Sequence, residues 1–92
     1  MEQPFTISLG GTPVTGYIDA VFEIDGRYLV VDWKTGTTEH LDATQLALYR
    51  IAWARLRGVD WREIDTCFVM LRDGEEISEQ TDALVEQLLA QG

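Results

Sequence analysis

Apolar and polar residues alternate at the start of the chain, where Phe5, Ile7 and Leu9 are separated by polar residues. This period of two is typical of a β-strand with one buried face, so residues 5–9 are predicted to form a strand. Gly10-Gly11 follows and indicates a turn. The next apolar segment, residues 14–24, predicts a second strand.

Asp25-Gly26 is a strong signal for a two-residue hairpin turn, because both turn positions require a positive φ. Residues 27–34 are therefore predicted to form a third strand, antiparallel to the second. Its segment 28–31 is apolar on both faces, which is typical of a central strand. Residues 35–38 break the pattern and are predicted to form a loop.

The second half of the chain changes to helical spacing. Residues 42–57 are predicted to form a helix. The residues that recur at helical spacing are Leu41, Gln45, Leu48, Tyr49, Ala52 and Leu56. Gly58 is a suitable C-terminal stop. A connecting segment is predicted at residues 61–64 and a strand at residues 66–71. A short strand or strand extension is predicted at residues 75–77, and a terminal helix at residues 81–90. The order β-β-β-α-β-α predicts a mixed α/β domain with one crossover helix.

The predicted hairpin brings two carboxylates together. If Asp25-Gly26 is the two-residue loop, Ile24 faces Arg27, and counting back along both strands places Asp19 opposite Asp32. Facing residues project to the same side of a sheet with Cβ atoms roughly 4.5–5.5 Å apart. Lys34 lies two residues beyond Asp32 and shares that side.

Like charges in facing positions destabilise a sheet, and burial increases the cost. A hard divalent cation such as Mg²⁺ or Mn²⁺ would offset it, and Lys34 would add a positive charge beside a metal-bound water or a phosphate. Alternatively, Asp32 and Lys34 form a surface ion pair and Asp19 is a solvated edge residue. A one-residue bulge would also undo the pairing.

Composition limits where these groups could act. The 92 residues fit one domain, without an apolar run of the roughly 20 residues that span a bilayer. Cys67 is the only cysteine, which excludes an internal disulfide and a cysteine-based zinc site and favours a cytoplasmic location. The net charge is −9 with seven basic residues, so affinity for DNA would come from elsewhere in a larger protein.

Three motifs in order resemble the RecB-like branch of the PD-(D/E)XK nuclease superfamily. They are GYIDAVF at residues 16–22, LVVDWKTG at residues 29–36, and the Gln45-x-x-x-Tyr49 spacing in the next helix. The likeness implies a restriction-endonuclease-like core. It is nearest to the nuclease domains that are fused to UvrD- or AddB-type bacterial helicases and act in DNA repair and recombination.

The resemblance also implies residue roles. Asp19, Asp32 and the backbone carbonyl of Trp33 would bind Mg²⁺ or Mn²⁺, and Lys34 would position or activate the attacking water. The partners would be DNA and a helicase module, in cis or as a partner subunit, in the bacterial cytoplasm near the nucleoid.

Gln45 and Tyr49 would support this site or the DNA strand, since i, i+4 spacing puts them on one helix face. Each has an alternative structural interpretation. Residues 42–45 also fit a capping box, with aspartate in the place of serine or threonine. Tyr49 could simply belong to the core.

One feature departs from the RecB-like pattern. These nucleases usually carry a helix before the first strand, with a His or Glu that completes the metal shell, whereas residues 1–4 alone precede the strand here. Glu2 and His40 are substitute candidates, although His40 also fits a solvated loop residue. The chain is therefore expected to be the C-terminal part of a larger helicase-nuclease. As a fragment it would lack the N-terminal helix and have an incomplete metal shell.

Two other functions fit the sequence. The net charge of −9 and the missing first motif favour a non-catalytic scaffold or docking domain of a helicase. An interaction module would use Trp33, Trp53 and Trp61 as a partner surface. A sheet face left uncovered by the missing helix would favour self-association of the fragment.

Overall fold

The computed structural model describes residues 2–36 and 41–91. Its elements in chain order are β1 (Gln3–Leu9), β2 (Thr12–Ile18), β3 (Ala20–Ile24), β4 (Arg27–Lys34), α1 (Ala43–Arg57), a 3₁₀ turn (Trp61–Glu63), β5 (Ile64–Met70), β6 (Glu76–Ser78) and α2 (Asp82–Ala90). The predicted mixed α/β class is confirmed. The predicted strand order differs at one point, because the second strand is divided. Of the two alternatives predicted at residues 75–77, the short strand is present as β6.

The strands form two sheets. β1 and β2 are an antiparallel pair, and the larger sheet has the order β3-β4-β5-β6. Within it, β3–β4 and β5–β6 are antiparallel, whereas β4–β5 is parallel. The parallel pair requires a crossover connection, which α1 provides as predicted. β4 is therefore a central strand, consistent with its apolar residues on both faces.

The prediction of one continuous strand over residues 14–24 is wrong at Asp19. β2 ends at Ile18, which pairs with Gln3 of β1, and β3 begins at Ala20, which pairs with Val31 of β4. Asp19 lies between the two ladders. Its carboxylate accepts a hydrogen bond from the backbone N–H of Trp33 at 3.0 Å. This side-chain hydrogen bond takes the place of a backbone ladder pair at this position.

Helix α1 begins and ends as its sequence predicts. The Asp42 side chain accepts from the Thr44 backbone N–H at 2.9 Å, and Gly58 ends the helix with a φ of 68°. The predicted apolar stripe is wrong at Leu56, which is 48% exposed. Leu46, Ala47 and Ile51 are buried instead, because the helix packs against β5, β1 and α2 rather than one sheet face alone.

A buried arginine joins α1 to the last third of the chain. Arg50 donates hydrogen bonds to Thr81 Oγ1 at 2.8 Å, to Asp82 Oδ1 at 2.7 Å and to the Trp61 carbonyl oxygen at 3.2 Å. These contacts fix the start of α2 against the middle of α1. Neither helix in the described part of the chain is long and apolar enough to cross a membrane.

Candidate metal centre

The hairpin that carries the predicted site has the register expected from its turn. Asp25 and Gly26 have φ values of 52° and 80°, and Ile24 pairs with Arg27. The ladder continues in this register to Ala20 and Val31. It stops one position short of Asp19 and Asp32, which therefore lie just beyond its end.

The Asp32 carboxylate is buried. The residue is 3% exposed, and no hydrogen bond from the described residues reaches its Oδ2 atom. Lys34 Nζ lies 3.2 Å from that atom, close enough for an ion pair but without hydrogen-bond geometry. The carboxylate is thus only partly compensated by the protein.

Asp19 adds a second carboxyl group beside it. Burial first, and then the neighbouring Asp19 carboxyl, raise the pKa of Asp32 from 3.8 to about 6, although Lys34 acts in the opposite direction. The predicted repulsion between the two neighbouring carboxyl groups is therefore present. The hydrogen bond from the Trp33 N–H to Asp19 Oδ2 fixes the position of the Asp19 carboxyl group.

Lys34 is held from two directions. Its Nζ donates to Gln45 Oε1 at 2.9 Å and forms the ion pair with Asp32. Gln45 in turn donates through Nε2 to the Tyr49 hydroxyl oxygen at 2.9 Å. The side chain of Gln45 therefore forms hydrogen bonds within the site, whereas Asp42 caps the N-terminus of the helix.

Tyr49 combines the two alternatives that its sequence position allowed. It is 7% exposed and packs in the core, yet its hydroxyl group contacts Gln45. Burial, followed by the charges of Asp32 and Asp19, raises the pKa of Tyr49 to about 12. Its phenol is therefore neutral at physiological pH and remains available as a hydrogen-bond partner.

The residues present fit a divalent cation, but as a partial shell. The two adjacent carboxyl groups, one of which has a buried and only partly compensated oxygen, are hard ligands of the kind that Mg²⁺ and Mn²⁺ prefer. Among residues 2–36 and 41–91, no group of three or more His, Cys, Asp and Glu side chains could hold a metal ion. Glu2 is described and does not complete such a group, and His40 lies outside the described residues.

Two of the three tryptophans pack against other side chains. Trp53 packs edge-on against Tyr28, with ring centroids 5.7 Å apart. The guanidinium carbons of Arg50 and Arg62 lie 4.8 and 4.4 Å from the ring centroid of Trp61. Only Trp33, at 39%, belongs to the exposed large apolar residues of the described chain, which removes support from the tryptophan-surface prediction.

The raised pKa of Asp32 predicts a pH dependence of stability. Because the folded chain retains this proton to a higher pH, the free energy of unfolding should fall as pH rises from about 4 to about 6. The shift corresponds to a loss on the order of 2–3 kcal/mol. Urea unfolding in EDTA should therefore show Asp32→Asn gaining stability relative to wild type across this window. An equal difference at every pH would contradict the assignment.

Comparisons with known proteins agree with the motifs. The sequence model of the PD-(D/E)XK nuclease superfamily matches residues 1–91. The gene 69 protein of Mycobacterium phage D29 is 39% identical over 75 residues, which cover 82% of this chain and 28% of that protein. The gene 69 protein of Mycobacterium phage L5 is 42% identical over 60 residues, or 65% of this chain and 20% of that protein.

The chain therefore spans less than a third of the length of these phage relatives. No solved structure matches it. The match to the superfamily extends over nearly all of the sequence, including the strands and helix that carry Asp19, Asp32, Lys34 and Gln45. This chain belongs to the PD-(D/E)XK nuclease superfamily.

Proposed function

We propose that this domain hydrolyses DNA phosphodiester bonds in a metal-dependent reaction. The observation that carries the proposal is the buried carboxylate of Asp32, which has a second carboxyl group beside it and a lysine amine 3.2 Å away. A purely structural site would not gain stability from burying the carboxyl group of Asp32 beside the partly buried one of Asp19. Their cost is explained if they bind a cation.

Asp19, Asp32 and the backbone carbonyl of Trp33 would hold that cation. A bound Mg²⁺ or Mn²⁺ supplies an activated water and neutralises charge on the phosphate. The chain contributes the placement of its ligands. The Trp33 N–H donates to Asp19 Oδ2 and so fixes this carboxylate beside Asp32.

Lys34 would act on the reacting phosphate or the attacking water. Hydrolysis forms a phosphorus–oxygen bond to water and breaks the bond to a sugar oxygen, so negative charge builds up on the phosphate oxygens and on the leaving group. A fixed ammonium group stabilises this charge better than a mobile one, because no reorganisation is needed during the reaction. Gln45 and Tyr49 would provide that fixation.

The parent protein would supply the affinity for DNA. The net charge of −9 makes this domain a poor binder of phosphates by itself. The motif likeness favours a RecB-like nuclease domain of a larger helicase-nuclease that acts in repair and recombination. In that context the helicase module brings DNA to the carboxylate pair.

A catalytically incomplete scaffold is the second candidate. It is favoured by the lack of a third metal-ligating side chain beside Asp19 and Asp32 within the described residues. In that case, Lys34 and Gln45 would stabilise the buried Asp32 without turnover. The two candidates differ in their response to metal.

A cleavage assay on the intact gene product that contains this sequence separates them. We expect degradation of linear DNA with Mg²⁺ or Mn²⁺, complete loss in EDTA and recovery when excess Mn²⁺ is added. A Glu86→Gln variant, which alters an exposed residue of α2, is the matched control and should retain activity. Cleavage that persists in EDTA would contradict the nuclease proposal, and no cleavage at all would favour the scaffold.

A further inference from the structure

The β1–β2 hairpin contacts the candidate site through one aromatic ring. Phe5 of β1 faces Gly16 of β2 in the ladder. The same ring meets Tyr49 of α1 edge-on, with centroids 5.9 Å apart and an interplanar angle of 83°. Phe5 and Tyr49 are each 7% exposed, so this contact lies within the core.

The close approach of Phe5 requires a glycine opposite it. A Cβ atom at Gly16 would lie 2.9 Å from Cζ and 3.1 Å from Cε2 of Phe5, which is closer than carbon atoms pack. Gly16 does not have a positive φ. The glycine is therefore required for space rather than for backbone conformation, and a methyl group there would displace the ring.

The contact continues from Tyr49 to the lysine amine. The Tyr49 hydroxyl accepts from Gln45 Nε2, and Gln45 Oε1 accepts from Lys34 Nζ, each at 2.9 Å. The first bond orients the amide, because it directs Nε2 to the tyrosine and leaves the oxygen facing the ammonium group. With the amide reversed, two N–H groups would face a cation that has no acceptor.

We infer that Gly16 and Phe5 are positioning residues for Lys34, acting through Tyr49 and Gln45. This inference rests on the proposed function, which gives Lys34 its role in DNA hydrolysis. Lysine has a long flexible side chain, and its amine is placed here by Gln45 on one side and Asp32 on the other. The β1–β2 hairpin thus does more than pack against the core, since it positions Tyr49, which orients the Gln45 amide.

The kinetic test is a double-mutant cycle on the intact gene product. Gly16→Ala should lower kcat for metal-dependent DNA cleavage by about 10- to 100-fold with little change in KM, because misplacement of a catalytic group by about 1 Å can cost about 100-fold. In a Gln45→Ala background, where Tyr49 is disconnected from Lys34, Gly16→Ala should have almost no further effect. An equal loss in both backgrounds would overturn the inference.

A second measurement works without DNA cleavage. Lys34 is the only lysine in the chain, so selective ¹³C-lysine labelling reports on its side chain alone. NMR relaxation of its ε-methylene group should show greater mobility in Gly16→Ala and in Phe5→Leu. Val14→Ala, which trims a half-buried residue of the same hairpin, is the control for a general loss of packing and should leave Lys34 ordered.

The outcomes distinguish the two proposals. Unchanged mobility in Phe5→Leu, or equal mobility in Val14→Ala, would overturn the positioning role whether or not the protein cleaves DNA. If Gly16→Ala does not fold, Phe5→Leu replaces it in the kinetic cycle. Full activity of a Lys34→Met variant would instead overturn the role proposed for Lys34 in DNA hydrolysis, and absence of metal-dependent cleavage by the wild type would overturn the proposed function. In either case the NMR comparison would still decide whether the β1–β2 hairpin orders this lysine.

Discussion

Replacing Lys34 with methionine should lower kcat for metal-dependent DNA cleavage by about 100- to 1000-fold, the usual effect of removing one group that stabilises developing charge. Methionine retains much of the apolar stem and removes the ammonium group that lies 3.2 Å from Asp32 Oδ2. The side chain is 29% exposed, so the fold should survive. The measurement is steady-state cleavage of linear DNA by the intact gene product with saturating Mg²⁺.

Arg72→Met is the matched control for this experiment. Arg72 is exposed in the turn after β5, and its replacement removes the same formal charge as Lys34→Met. If the effect of Lys34 is local, the Arg72 variant should cleave DNA at the wild-type rate. Equal activity of the two variants, whether high or low, would contradict a specific role for Lys34.

Replacing Asp32 with asparagine should weaken Mn²⁺ binding to this chain by at least about 100-fold, since even residues that only contact metal ligands contribute about 10- to 100-fold. Asparagine preserves the shape of the side chain and removes the charge that a hard cation requires. Calorimetric titration at millimolar Mn²⁺ is the measurement. It should show one binding event in wild type and none in the variant.

The control for Asp32→Asn is Glu86→Gln, which also removes one negative charge from a chain of net charge −9. Glu86 is an exposed residue of α2. Non-specific attraction of Mn²⁺ to an acidic protein would be reduced similarly by both changes. Wild-type binding in the Asp32→Asn variant would show that the cation binds elsewhere.

The β3–β4 hairpin could be predicted from sequence because its determinants are local. The turn Asp25-Gly26 fixes the register by its backbone conformation, and the register then places Asp32 near Asp19 and puts Lys34 on the same face. Each of these steps uses residues that are close in the chain. The ladder pairs observed from Ile24–Arg27 to Ala20–Val31 confirm the first step.

The features that were missed depend on residues far apart in sequence. At Asp19, where the strand divides, the side chain accepts a hydrogen bond from the backbone N–H of a residue 14 positions later. The burial of Arg50 depends on its hydrogen bonds to Thr81 and Asp82, which lie more than 30 residues away in the sequence. The Gly16–Phe5 contact could have been suspected from a glycine within a strand, which often marks close packing.

The measurement that tests the central claim most directly is paramagnetic line broadening by Mn²⁺ in the ¹⁵N-labelled chain. Mn²⁺ broadens amide signals according to distance and therefore locates its own site. We predict that substoichiometric Mn²⁺ first broadens the amides of residues 19 and 32–34, and that Asp32→Asn removes this effect. Broadening centred on the acidic residues of the last third, or none near Asp19 and Asp32, would contradict a metal centre at the carboxylate pair.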